Sequence, residues 1–146
     1  MLAEGVSLTY LLVLIIPIIM FIKTWDNWWV LLIFALLITS VVVRLLKWFF
    51  RKLSPRPGTA HNCNAFCMGG PVGGEPGFPS GHMTSTTMFV VALWLHFGNN
   101  FILMAGLPWI ALMGWSRWAK NCHTWQQVLG GIFTGTVAAH LFSRLT

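Results

Sequence analysis

Four short clusters in this sequence hold side chains suited to an anion: Arg56-Pro57, Pro79-Ser80-Gly81-His82, Ser116-Arg117 and His123. Arg56 and Arg117 offer planar bidentate donors that match phosphate oxygens and stay charged at any working pH. Ser80 and Gly81 fall where a helix is predicted to begin. Unpaired N–H groups and the positive end of the helix dipole make an anion site there. Gly81 lets the backbone approach without a Cβ in the way. His82 and His123 can trade protons near neutral pH. One could attack phosphorus while the other protonates the departing oxygen. Each residue also has a plainer reading: the arginines as headgroup anchors, the histidines as helix caps or solvated side chains. His96 and His140 read as packing or interface histidines, and Arg44 as a snorkelling side chain.

Three carboxylates exist, Glu4, Asp26 and Glu75, and Asp26 falls away from the clusters. A two-metal phosphatase site needs several oxygen ligands, so no metal and no cofactor is expected. Charge stabilisation is left to arginine, lysine and backbone amides. Three cysteines cannot all pair within one chain. Free thiols are the default, with a Cys63–Cys67 disulfide or a zinc site near His61 and Cys122 as the other readings.

The elements that must position these residues follow from composition. The chain has 146 residues, enough for one domain, of which 56% are hydrophobic and 8% charged. Its mean hydropathy is +0.72. A soluble domain carries roughly 25% charged residues. Soluble, disordered and nucleic-acid-binding classes are therefore excluded, and a net charge of +6 is left to face phosphate or an anionic membrane. The expected fold is all-α, an integral membrane bundle of about five transmembrane helices over residues 1–146. Apolar stretches run from Leu8 to Ile22 (read as a retained span), Trp28 to Leu46, Met83 to Phe97, Phe101 to Trp115 and Val128 to Leu145. The third and fourth are short and must borrow flanking residues or sit in a thin bilayer. Trp25, Trp28 and Trp29 suggest one aromatic belt, and Trp48, Trp115, Trp118 and Trp125 the other.

Between the second and third stretches, Ser54 to Gly81 is rich in proline and holds seven glycines, with no amphipathic period. Irregular backbone cannot cross lipid, so this loop lies at the interface or caps a cavity. Alternating helix direction puts all four polar clusters at one mouth of the bundle. Nothing comparable falls on the other face.

Pro79-Ser80-Gly81-His82, and Ser116-Arg117 with His123 after five residues, strongly resemble the second and third motifs of the type 2 phosphatidic acid phosphatase (PAP2) superfamily. The resemblance covers about residues 44–131. It implies metal-independent hydrolysis of a lipid phosphate or diphosphate, with membrane lipids as surroundings. By this likeness His123 is the nucleophile, forming a phosphohistidine, and His82 the general acid. Arg56, Ser80, Gly81 and Arg117 hold the phosphoryl oxygens. The first motif departs: Phe49 stands seven residues before Arg56 where the family has lysine, and Lys47 is the favoured substitute over Lys52. Gln127 stands where many relatives place an aspartate to orient the nucleophile. The stretch His123 to Val128 looks similar to the dolichyl-diphosphatase-like branch, which tilts the reading toward a polyprenyl diphosphate.

Two rivals stay open: a lipid phosphotransferase of the same superfamily, and a non-catalytic membrane protein binding anionic lipid. The basic mouth argues for the cytosol by the positive-inside rule, and relatives argue for the non-cytosolic face. The latter is the expectation adopted; oligomeric state is not legible.

Overall fold

The computed structural model describes residues 1–146 and contains five helices and no strand. They are α1 (Leu2–Thr24), α2 (Asn27–Phe49), α3 (Gly81–Phe97), α4 (Asn100–Ala119) and α5 (Trp125–Ser143). Short polar residues start them: Asp26 accepts from the Trp28 amide at 2.9 Å and Asn99 from the Phe101 amide at 2.9 Å. Gly98, at φ 62°, ends α3 in the left-handed conformation that glycine adopts freely. α1 passes through a 3-10 turn at Thr9–Leu11.

Every expected apolar stretch is helical along nearly all its length, and each helix begins ahead of its stretch, though α5 stops at Ser143, two residues short of Leu145. α1 begins at Leu2 rather than Leu8, and α4 continues to Ala119, through Ser116 and Arg117. Polar motif residues satisfy their backbone within the helix as well as apolar ones do. α3 has 17 residues and α4 has 20, spanning about 25 and 30 Å at 1.5 Å per residue. Two helices, α1 and α2, are long and apolar enough to cross a membrane.

The most extensive packing joins α3 to α5. A Cβ at Gly131 would meet the Ser80 carbonyl and the Met83 side chain, and one at Gly135 would meet the Thr84 carbonyl. Two glycines four residues apart thus let the helix backbones approach, as small residues do at membrane helix interfaces. Around this pair, Val13, Trp29, Leu32 and Leu36 pack on Phe89 and Ala139. A second cluster joins Met83, Val90, Ile110, Met113 and Val128.

The aromatic belt needs correction. Trp25, Trp48, Trp118 and Trp125 are exposed, but Trp28 and Trp29 are buried in the core. Trp28 stacks on His96 with centroids 4.0 Å apart, the tryptophan buried and the histidine exposed at the bundle end.

The segment between α2 and α3 has neither helix nor strand, yet it is folded on itself. Arg56 N donates to Glu75 O at 2.8 Å, Val72 N to Ala60 O at 2.9 Å and Gly77 N to Ser54 O at 3.0 Å. These bonds double the loop back over the mouth. They also overturn the cysteine expectation: Cys63 is disulfide-bonded to Cys122, 59 residues away, and Cys67 is free. The doubled loop brings Cys63 against the α4–α5 turn, a proximity that sequence spacing does not encode.

Candidate active site

α2 turns Ser40, Val43, Arg44 and Lys47 to one side, the spacing of a single helical face. This face, the start of α3 and the α4–α5 turn enclose a cavity of about 240 Å³, roofed by the loop at Cys63–Ala65. Of the eight residues singled out from sequence, Lys47, Arg56, Gly81, His82 and His123 line it. Phe49 and Lys52 point outward. Gln127, Ser80 and Arg117 are fully buried outside the lining.

His123 precedes α5 and is held from two sides. Its Nδ1 lies 3.1 Å from Gln127 Oε1, and its Nε2 lies 3.5 Å from Arg56 Nη1. The Gln127 amide has one workable orientation. Its Nε2 donates to Pro55 O at 2.8 Å and Ser54 O at 3.2 Å, while Oε1 accepts from the Thr124 amide at 3.2 Å. An amide oxygen toward Nδ1 requires the proton on Nδ1, which leaves Nε2 unprotonated, its lone pair toward Arg56 Nη1. Gln127 also closes a capping box with Thr124, so one side chain starts α5 and sets the tautomer. Loop residue Gly77 sits flat on this amide, where any Cβ would overlap it.

Burial, and then the charges of Arg56, Arg117 and Lys47, hold the His123 imidazole well below its ordinary value, with the Gln127 hydrogen bond opposing. It is neutral at pH 7. Burial likewise lowers the Arg56 guanidinium, opposed by the Glu75 charge.

His82, the second residue of α3, packs its ring on Tyr10 of α1 at 4.5 Å, and its Nε2 has no protein partner. Ser80 Oγ is buried without a partner, while Ser80 N donates to Gln127 O at 3.0 Å. Arg117 donates to Cys63 O at 2.7 Å through Nη2 and to Ser7 Oγ through Nη1. The arginine expected to grip an anion directly is therefore tied behind the cavity wall. The protein's one ion pair joins the Met1 amino group to Glu4. Lys47, Arg56 and Arg117 thus form no ion pair; Lys47 and Arg56 bring positive charge to the cavity, offset only by the charge of Glu75, which lies beyond ion-pair distance.

Sequence reasoning did not single out Tyr10, Ser40, Arg44, Asn64 and Ser85, which also line the cavity. For Ser40 and Arg44 the signal was present, as both share the helical face of Lys47. Arg44 is exposed, yet it borders the cavity rather than serving only as an interfacial charge. No local pattern marks Tyr10, the one tyrosine of the chain.

Neither a search of curated proteins nor one of solved structures finds a match. A family model does match, that of the PAP2 superfamily, over residues 28–146. The matched span covers most of the chain and all eight site residues. The chain belongs to the PAP2 superfamily, whose members are generally phosphatases.

Proposed function

We propose that this protein is a membrane-embedded, metal-independent lipid phosphatase that hydrolyses a lipid phosphate or polyprenyl diphosphate through a phosphohistidine. One observation carries this reading: a neutral histidine, with its Nε2 unprotonated, stands beside Arg56 and Lys47 in a polar cavity where neither cation forms an ion pair. Nε2 of His123 attacks phosphorus in line, and the bond to the leaving oxygen breaks. His82 gives that oxygen a proton. Arg56, Lys47 and the amides at the start of α3 take up the charge on the equatorial oxygens. Water, giving a proton back to His82, then cleaves the N–P bond and releases phosphate. Ser80 and Arg117 support the wall that shapes the site.

The lipid class is supported by a second cavity of about 410 Å³, almost wholly apolar, lined by Ile38, Val42 and Leu46 of α2 and by Phe133 and Val137 of α5. It runs down the bundle flank, with Leu46 next to Lys47 on α2. A headgroup in the polar cavity can leave its tail there. A bundle that crosses the bilayer is supported by large apolar side chains on four of the helices, such as Ile18, Phe34, Leu107 and Phe133, which face outward around the largely buried α3. The Cys63–Cys122 disulfide at the mouth supports a non-cytosolic site, because such bonds persist in oxidising compartments. The His123–Val128 stretch favours a polyprenyl diphosphate among lipids.

The test is phosphate release by detergent-purified protein, in EDTA, from a panel of lipid mono- and diphosphates. Release by wild type and none by His123→Ala is expected. Full activity in the variant, or loss in EDTA restored by metal, overturns the mechanism. Phosphoryl transfer to an added alcohol with no hydrolysis in water would make it a phosphotransferase.

A further inference from the structure

We infer that Cys63 and Cys122 are positioning residues of the anion site, their disulfide fixing the two backbone carbonyls that hold Arg56 and Arg117. The inference rests on reading the cavity as a phosphate site. Cys122 O accepts from Arg56 Nη1 at 3.2 Å, and Cys63 O accepts from Arg117 Nη2 at 2.7 Å. Each half of the disulfide therefore carries one guanidinium. The Cys122 amide, in turn, donates to Arg117 O at 3.0 Å, and the His123 amide to the same oxygen at 3.3 Å. Nucleophile, disulfide and both arginines form one connected unit.

The bond has few substitutes. The Asn62–Ala65 stretch is irregular backbone, tied to the α4–α5 turn otherwise by Lys120 Nζ donating to Asn62 O at 3.1 Å. Both cysteines are buried, with Ala60 and Val72 packed around them. Meanwhile Arg56 Nε and Arg117 Nε are buried without any partner. Each carbonyl grips its guanidinium by an Nη atom, which leaves donors of Arg56 for an arriving anion, while Arg117 backs the cavity wall. With the disulfide broken, the two carbonyls can separate, and the guanidinium groups lose their shared reference.

The experiment measures binding of inorganic phosphate to detergent-purified protein by calorimetry. It compares wild type, the C63S/C122S double variant, Cys67→Ser, and wild type treated with dithiothreitol. The dithiol supplies two electrons and two protons: the S–S bond breaks, both cysteines become thiols, and the reagent closes to a cyclic disulfide. Circular dichroism follows the helices in every sample. Phosphate should bind at least tenfold more weakly to the double variant and to the reduced protein, at unchanged helix content. Cys67→Ser should match wild type.

A second readout separates positioning from mere support. His123 faces Arg56 from the loop, Arg117 from α4, Lys47 from α2, His82 from α3 and the neutral Gln127 from α5. Release of the two arginines should let its imidazole protonate more readily, moving the acid limb of kcat/KM to higher pH. Equal phosphate affinity in all four samples overturns the inference, as does weakened binding that merely tracks loss of helix. Wild type that binds phosphate but hydrolyses no ester sinks the phosphatase reading and leaves this inference to the binding data. Wild type that binds no phosphate overturns both.

Discussion

Gln127 does at one position what two residues would otherwise share. Its oxygen holds the His123 Nδ1 proton, and its nitrogen satisfies the Pro55 and Ser54 carbonyls. Gln127→Glu keeps the shape but removes that nitrogen, setting a carboxylate against two carbonyls. Leaving buried acceptors unpaired costs about 1–3 kcal/mol, so the melting temperature should fall. The new charge would also stabilise the imidazolium. The acid limb of kcat/KM is expected below pH 6.5 in wild type, because burial depresses the His123 value and the proposed attack needs its neutral form. In Gln127→Glu that limb should move up, and an unmoved limb would deny the Gln127–His123 contact. His82→Ala should lower turnover by about 10²–10⁴-fold, the usual worth of a positioned acid. Substrates with poor leaving groups should lose most; equal losses across leaving groups would remove His82 from that role.

At the level of elements, the site depends on how closely α5 lies on α3. His123 precedes one helix and His82 opens the other, so the spacing between them sets the spacing of the histidines. Gly135→Ala places a methyl against the Thr84 carbonyl and should cost about 1–3 kcal/mol through overpacking. Gly5, in α1, has nothing within 4 Å of an added Cβ. Gly5→Ala should be neutral or stabilise by about 0.5–1 kcal/mol, the helix penalty of glycine. Thermal unfolding in one detergent compares the two, and equal shifts would mean that the α3–α5 contact does not govern stability. The helices themselves were legible as apolar runs, because the hydrophobic pattern is local. Their ends were not: Ser116 and Arg117 continue α4 although both are polar, since Ser116 Oγ donates to Met113 O within the helix and Arg117 donates to Ser7 of α1 and Cys63 of the loop.

The whole molecule joins a polar mouth to an apolar flank through α2, which borders both cavities. Val137→Trp would fill the flank groove next to Phe133. The ratio of kcat/KM for a long-chain lipid phosphate over a short-chain one should drop about tenfold, worth about 1.4 kcal/mol. An unchanged ratio would place the tail elsewhere. The charge balance belongs to this scale as well. A net charge of +6 sits on a chain with one ion pair, so an anion entering the mouth meets positive charge that no ion pair engages.

The amino-acid sequence by itself determined the helical class, the long irregular loop before α3 and the motifs that mark the PAP2 superfamily. Composition and short-range spacing suffice for those, because a helix satisfies its own backbone and each motif lies within a few residues of chain. Only the tertiary structure decided which cations reach the cavity. Lys47 turns in because its face of α2 packs toward the mouth, while Phe49 and Lys52 turn out. Arg117 is drawn behind the wall by Ser7 and Cys63, which come from distant parts of the chain. Cys63 found Cys122 rather than the nearer Cys67 because the loop is folded by its own long-range hydrogen bonds. Trp28 went inward because its neighbours His96 and Phe142 belong to other helices. Such contacts join residues far apart in the chain, and no local pattern carries them.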